Sequence, residues 1–100
     1  MYSIIVCMKY FDWNQEKNEW LMRERGISLE FIKECVENGQ VVGNIPNHSP
    51  YEHQRVLLIL IEGYVYEVPY VEIDDTIFFK TAYPSHEETK RYHQRLEDDR

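Results

Sequence analysis

One hundred residues, 43% of them hydrophobic and 14% aromatic, can bury a modest core and are too apolar for a disordered segment. A net charge of −7 argues against general nucleic-acid binding through a basic surface. Cys7 and Cys35 have neither metal-ligand nor redox spacing, and no apolar run approaches the roughly 20 residues of a membrane span. Tyr2 to Met8 lacks the charged start and long apolar centre of a signal peptide, so the expectation is a cytoplasmic protein with reduced thiols.

In chain order, residues 14–25 read as a helix that Asp12 or Asn14 can cap, with Trp13, Lys17, Trp20, Leu21 and Glu24 on one face. Gly26 ends it, since glycine takes a left-handed conformation without steric cost. Ser28 caps a second helix, whose inner stripe is Leu29, Ile32 and Val36, and Gly39 stops it. The period then becomes extended. Gln40 to Ile45 is a weak strand, and Asn44 to Pro50 is a polar turn region.

Arg55 to Ile61 is an unbroken aliphatic strand, Glu62-Gly63 a two-residue hairpin loop, and Tyr64 to Ile73 the returning strand. Pro69 cannot donate to a ladder and marks a bulge or an unpaired edge. Asp74-Asp75 turns the chain into a last strand, Thr76 to Tyr83. Ser85 and Glu88 have capping-box spacing for a final helix with Thr89, Tyr92 and Leu96 inside. The order predicts one α+β domain over 1–100, β-α-α-β-β-β-β-α, with an antiparallel meander and a closing helix. Its expected core is Trp13, Trp20, Leu21, Ile32, Val36, Val56, Leu58, Leu60 and Phe79.

Charge is unevenly placed. Residues 40–79 carry Arg55 against Glu52, Glu62, Glu67, Glu72, Asp74 and Asp75, whereas residues 80–100 balance the two signs. Lys80, His86, Lys90, Arg91 and Tyr92 fall close together around the end of the last strand, a way to gather phosphate-handling groups at one sheet edge. Neither His48 with His53 nor His86 with His93 has a third ligand at metal spacing.

Phe11-Asp12-Trp13-Asn14, Lys17-Asn18 and Arg25-Gly26-Ile27-Ser28 resemble the opening of BrnT-type toxins, small RelE-like ribonucleases of bacterial toxin–antitoxin pairs. Gly63-Tyr64-Val65-Tyr66, Val68-Pro69-Tyr70-Val71-Glu72, Phe79-Lys80-Thr81, Pro84-Ser85 and Thr89-Lys90-Arg91-Tyr92 resemble an uncharacterised branch of the same toxins. The likeness spans roughly residues 8–92, leaving 1–7 as an N-terminal extension. His86 stands where the family pattern leads one to expect an arginine after Pro84-Ser85.

The resemblance implies a RelE-like fold and cofactor-free, metal-independent RNA cleavage. Such a reaction needs a proton acceptor, a proton donor and cations on the phosphorane. Residue types that can serve are His86, Lys80, Arg55, Tyr83 and Tyr92, with Lys17, Lys90 and Arg91 holding the RNA backbone. Each has a plainer alternative: Lys80 as an outward strand residue, Tyr92 as core, Lys90 and Arg91 as a solvated helix face, Lys17 snorkelling over Trp13 and Trp20. The partner implied is an antitoxin of the ribbon-helix-helix type, with operator DNA bound only through the complex. A non-catalytic protein-binding module on the same fold is the rival reading. If Trp20 is a core anchor, Trp20→Ala should cost on the order of 3–5 kcal/mol in a chemical melt.

Overall fold

The computed structural model describes residues 9–98, so the expected extension over 1–7, with Cys7, lies outside the described residues. The elements run β1 (Tyr10–Trp13), α1 (Gln15–Arg25), α2 (Leu29–Glu37), β2 (Val41–Pro46), β3 (Arg55–Ile61), β4 (Tyr64–Ile73), β5 (Thr76–Phe79), β6 (Tyr83–Pro84) and α3 (His86–Asp98). This is an α+β arrangement of three helices and one sheet.

The helix signals act as the side-chain chemistry dictates. Asn14, not Asp12, caps α1, its side chain accepting from the Lys17 amide; Asp12 instead accepts from the Trp13 amide. Gly26 closes α1 at φ 66°, and Ser28 caps α2 through the Phe31 amide. Ser85 caps α3 by accepting from the Glu88 amide, while the Glu88 carboxylate pairs with Arg91 at 2.7 Å. Glu62 and Gly63, at φ 52° and 81°, make the tight turn between β3 and β4.

The sheet order is β1-β5-β4-β3-β2, with β6 on β4. The meander β2–β5 is antiparallel as expected, but β1 joins β5 in parallel, which makes the sheet mixed. Aromatic packing explains this. Phe11 and Trp13 stack on Phe79 at 5.5 and 6.2 Å between ring centroids, so burying these rings places β1 beside β5.

A second correction concerns the last strand, which does not run unbroken from Thr76 to Tyr83. Tyr70 faces Phe79, whereas Glu67 faces Tyr83. Two residues of β4, Val68 and Pro69, therefore oppose three, Lys80, Thr81 and Ala82. That extra residue is a β-bulge. Lys80 N–H donates to the Pro69 carbonyl at 2.8 Å, and the return bond to the Lys80 carbonyl cannot form because proline has no N–H.

One core lies between the sheet and α1–α2, with Leu21, Leu29, Ile32, Leu57, Ile59, Val68, Ile77 and Phe79 buried. A smaller cluster of Val56, Leu58 and Val65 sits under Tyr92 of α3. Of the expected core, Leu21, Ile32, Val36, Val56, Leu58 and Phe79 are buried, whereas Trp13, Trp20 and Leu60 are only half-buried; Glu24, expected on the face of α1 with Trp20, and Leu96, expected inside α3, are exposed. The buried partner of Leu21 on α1 is Asn18. Its Oδ1 accepts from Leu29 N–H at 2.7 Å and its Nδ2 donates to Glu30, which satisfies an orphan amide at the start of α2.

Two substitutions separate these roles in a denaturant melt. Asn18→Ala strands the Leu29 amide and should cost about 1–3 kcal/mol. Trp20→Ala should cost less than the 3–5 kcal/mol of a fully buried aromatic, because its ring is half-wet.

Candidate active site

The break in the β4–β5 ladder opens a cavity of about 300 Å³, lined by Lys17, Asn47, His48, Tyr51, Gln54, Pro69, Lys80, Thr81 and Tyr83. Three parts of the chain meet there: α1, the loop 47–54 between β2 and β3, and the bulge. The loop is braced by its own hydrogen bonds. Asn47 N–H donates to the Gln54 carbonyl, Tyr51 N–H to the His48 carbonyl and Gln54 N–H to the Tyr51 carbonyl. Asn47 Oδ1 also accepts from His48 N–H at 2.9 Å. A loop closed in this way holds His48 and Tyr51 on a prepared frame.

His48 Nδ1 lies 3.1 Å from the Ser49 carbonyl. A carbonyl only accepts, so in the neutral ring this contact keeps the proton on Nδ1 and leaves Nε2 with its lone pair. Across the cavity, Lys80 is exposed, its ammonium 5.3 Å from the Phe78 ring. Lys17 lies over Trp20 at 4.5 Å. The Thr81 hydroxyl oxygen is shut from solvent and has no hydrogen-bond partner among the described residues.

The bulge also sets Tyr83. Arg25 donates to the Ala82 carbonyl at 2.8 Å and lies between the Trp20 and Tyr83 rings, 4.9 and 5.9 Å from their centroids. Tyr83 donates its hydroxyl hydrogen to Glu67 at 3.0 Å. Burial pushes the phenol up to about 12, helped by the Glu67 charge and hydrogen bond and opposed by Arg25.

Of the residues singled out in the sequence, the cavity gathers Lys17, Lys80 and Tyr83. The others lie elsewhere. Arg55 opens β3 beside Gln54, but its guanidinium is turned onto Asn44, with Nε donating to Oδ1 at 2.8 Å and Nη2 to the carbonyl at 3.1 Å. His86 is exposed at the start of α3, after Ser85 has bonded to the Val65 carbonyl. Lys80 bonds to β4 at Pro69, four residues away, which separates the two attachment points by roughly 13 Å along the strand. Tyr92 packs on the small core, Lys90 is exposed and Arg91 pairs with Glu88.

His48, Tyr51, Gln54 and Thr81 were not among the sequence candidates. The signal for the first two is a histidine and a tyrosine in a polar loop tied between strands. Among the described residues, no three His, Cys, Asp or Glu side chains gather as a metal set would, and no helix is long and apolar enough to cross a membrane.

The Tyr83 environment has a measurable consequence. The folded chain holds this phenol's proton more tightly than the unfolded chain, whose tyrosines ionise near pH 10. The contribution of Tyr83 to stability is therefore full below pH 10 and is lost as pH rises towards 12. Glu67→Gln removes the opposing charge, and a Tyr83 ring titration followed by NMR should move to lower pH.

No curated protein and no solved structure matches the chain. A family model described as a domain of unknown function, DUF4258, matches residues 21–84, which hold the C-terminal part of α1, all of α2, the strands β2–β6, the bulge and every cavity residue except Lys17. The chain belongs to the DUF4258 family.

Proposed function

We propose that the protein is a metal-independent endoribonuclease of RelE-like fold, acting as the toxin of a bacterial toxin–antitoxin pair in the cytoplasm. The observation that carries this reading is the charge of the cavity. Among the described residues its lining includes two lysines and a histidine and no carboxylate, in a chain with 18 Asp and Glu residues against 11 Lys and Arg. A cationic, tyrosine-lined cleft on an acidic protein suits a single nucleic-acid strand, whose phosphate meets the lysines while a base stacks on an aromatic ring.

In the reaction proposed, His48 Nε2 takes the proton of the ribose 2′-hydroxyl, whose oxygen attacks the adjacent phosphorus. The bond from phosphorus to the 5′-oxygen breaks, leaving a 2′,3′-cyclic phosphate, and the leaving oxygen takes a proton from the Lys80 ammonium. Lys17 and Lys80 face the charge that builds on the phosphorane. Tyr83, protonated and bonded to Glu67, positions the cleft rather than carrying a proton. This assignment moves proton transfer from His86 to His48, because His48 lines the cavity with Lys80 and His86 does not.

By the same reading, the acidic remainder of the surface receives a basic segment of an antitoxin of the ribbon-helix-helix type, and operator DNA is bound only through that complex. The test is RNA cleavage by the purified chain in the presence of a chelator, alongside growth inhibition on induced expression with and without the antitoxin. His48→Ala and Lys80→Ala should each slow cleavage about 10²-fold or more and relieve growth inhibition, while His86→Ala keeps the parent rate. A parent chain that cleaves no RNA and arrests no growth overturns the reading in favour of the non-catalytic binding module.

A further inference from the structure

Arg25, in the last turn of α1, stands beside the cavity rather than in its wall, yet its guanidinium is fixed by three residues. Nη1 donates to the Ala82 carbonyl at 2.8 Å, and the group sits between the Trp20 and Tyr83 rings, 4.9 and 5.9 Å from their centroids. A planar cation stacked in this way has lost much of its rotamer freedom before any ligand arrives. The bond to Ala82 uses one of its five N–H donors, and among the described residues no other hydrogen bond engages the side chain.

Its charge is also unmatched. Among the described residues the ion pairs are Lys9 with Glu72, Arg23 with Glu24 and Arg91 with Glu88, so Lys17, Lys80 and Arg25 have no carboxylate partner. Glu24, between Arg23 and Arg25 in the chain, pairs with the first and not the second. Glu67 instead accepts from the Tyr83 hydroxyl at 3.0 Å. Tying α1 to the bulge and offsetting the helix dipole ask for one donor and one charge at the end of α1. Neither asks for a guanidinium that stays exposed and unpaired beside two lysines.

Trp20 links Arg25 to the cavity. The Lys17 ammonium lies 4.5 Å from the ring that Arg25 covers, so the two cations are within about 10 Å of each other, a Debye length at 0.1 M salt. Lys17 lines the cavity with Lys80. The three cations share one region of surface, an attraction for polyanions on a chain of net charge −7.

We propose that Arg25 is a second phosphate contact of the site. A single strand that places one phosphate between Lys17 and Lys80 lays the next on the Arg25 guanidinium, whose remaining donors suit phosphate oxygens. The ligand is then an oligonucleotide with at least two successive phosphates, not a mononucleotide. The proposal rests on reading the cavity as a nucleotide site.

The test is equilibrium binding of two 2′-deoxy thymidine strands, which cannot be cleaved, to the purified chain across a salt series. One is a dinucleotide with a single phosphate and the other a trinucleotide with two. On the parent chain the trinucleotide should bind about fivefold or more tightly, beyond the roughly twofold that its two registers give, with a logarithmic salt slope steeper by about 0.7. Arg25→Gln should bring the trinucleotide to the dinucleotide's slope and within about twofold of its affinity, with dinucleotide binding unchanged. Arg25→Lys should keep the slope, and Lys33→Gln, which removes the same charge from α2, should change neither strand. Should the glutamine variant not fold, the Arg25 Nε–H resonance of the labelled parent decides, since it should shift far more with the trinucleotide than with the dinucleotide.

A trinucleotide bound no more than about twofold better than the dinucleotide, an unmoved Arg25 resonance, or a loss in Arg25→Gln shared equally by both strands overturns the inference. In each case dinucleotide binding leaves the nucleotide reading of the cavity standing. Neither strand bound at millimolar concentration overturns both. Arg25-dependent trinucleotide binding by a chain that cleaves no RNA sustains the inference and removes the ribonuclease reading instead.

Discussion

The site depends on one hydrogen bond that cannot form. Pro69 and Lys80 stand opposite each other on β4 and at the end of β5, where an antiparallel pair would exchange two bonds, and proline allows one. The chain leaves the ladder with an extra residue and rejoins β4 at Glu67. The excursion brings Lys80, Thr81 and Tyr83 to the cavity wall, and Arg25 grips it through the Ala82 carbonyl. An unbroken strand would leave Lys80 as one more outward residue and would pair Glu67 with Ala82 in place of Tyr83.

The bulge is held by buried neighbours on both sides. Ala82 is fully buried in the larger core, next in the chain to the half-exposed Thr81 and Tyr83. Phe79, just before the break, carries the stacked rings of Phe11 and Trp13 and is fully buried. The unpartnered Thr81 hydroxyl is thus confined between two fixed points, and the loop that faces it is braced from Asn47 to Gln54. A cleft built this way is held open by the fold without a ligand, which limits the ordering cost when one enters.

Much of the fold was legible in the sequence because its signals are local. Asn14, Gly26, Ser28, Glu62-Gly63 and Ser85 each act on backbone within a few residues, and Pro69 was readable as a bulge or an unpaired edge, of which the bulge is what forms. The parallel pairing of β1 with β5 was not legible, since it joins residues more than sixty apart through aromatic packing. Trp20 illustrates a different limit. Helical spacing placed it with Leu21 on one face, but its ring divides its surface between the core and the cations of Lys17 and Arg25. The site was half legible. Lys80 and Tyr83 stand beside the proline's break, whereas His86 is close to them only in sequence, and the β6 pairing carries it away. His48 and Gln54 reach Lys80 only through the folding of the meander, a non-local event that no spacing in the chain records.

The most direct test of a phosphate-handling cleft at this break is an NMR titration of the labelled chain with a dinucleotide whose 2′-deoxy sugar prevents cleavage. The account predicts shifts concentrated in the amides of 47–54 and 80–83 and in the His48 ring, with Lys17 responding on α1. Shifts concentrated instead at His86, Lys90 and Arg91 on α3, with the loop and the bulge unmoved, would contradict it.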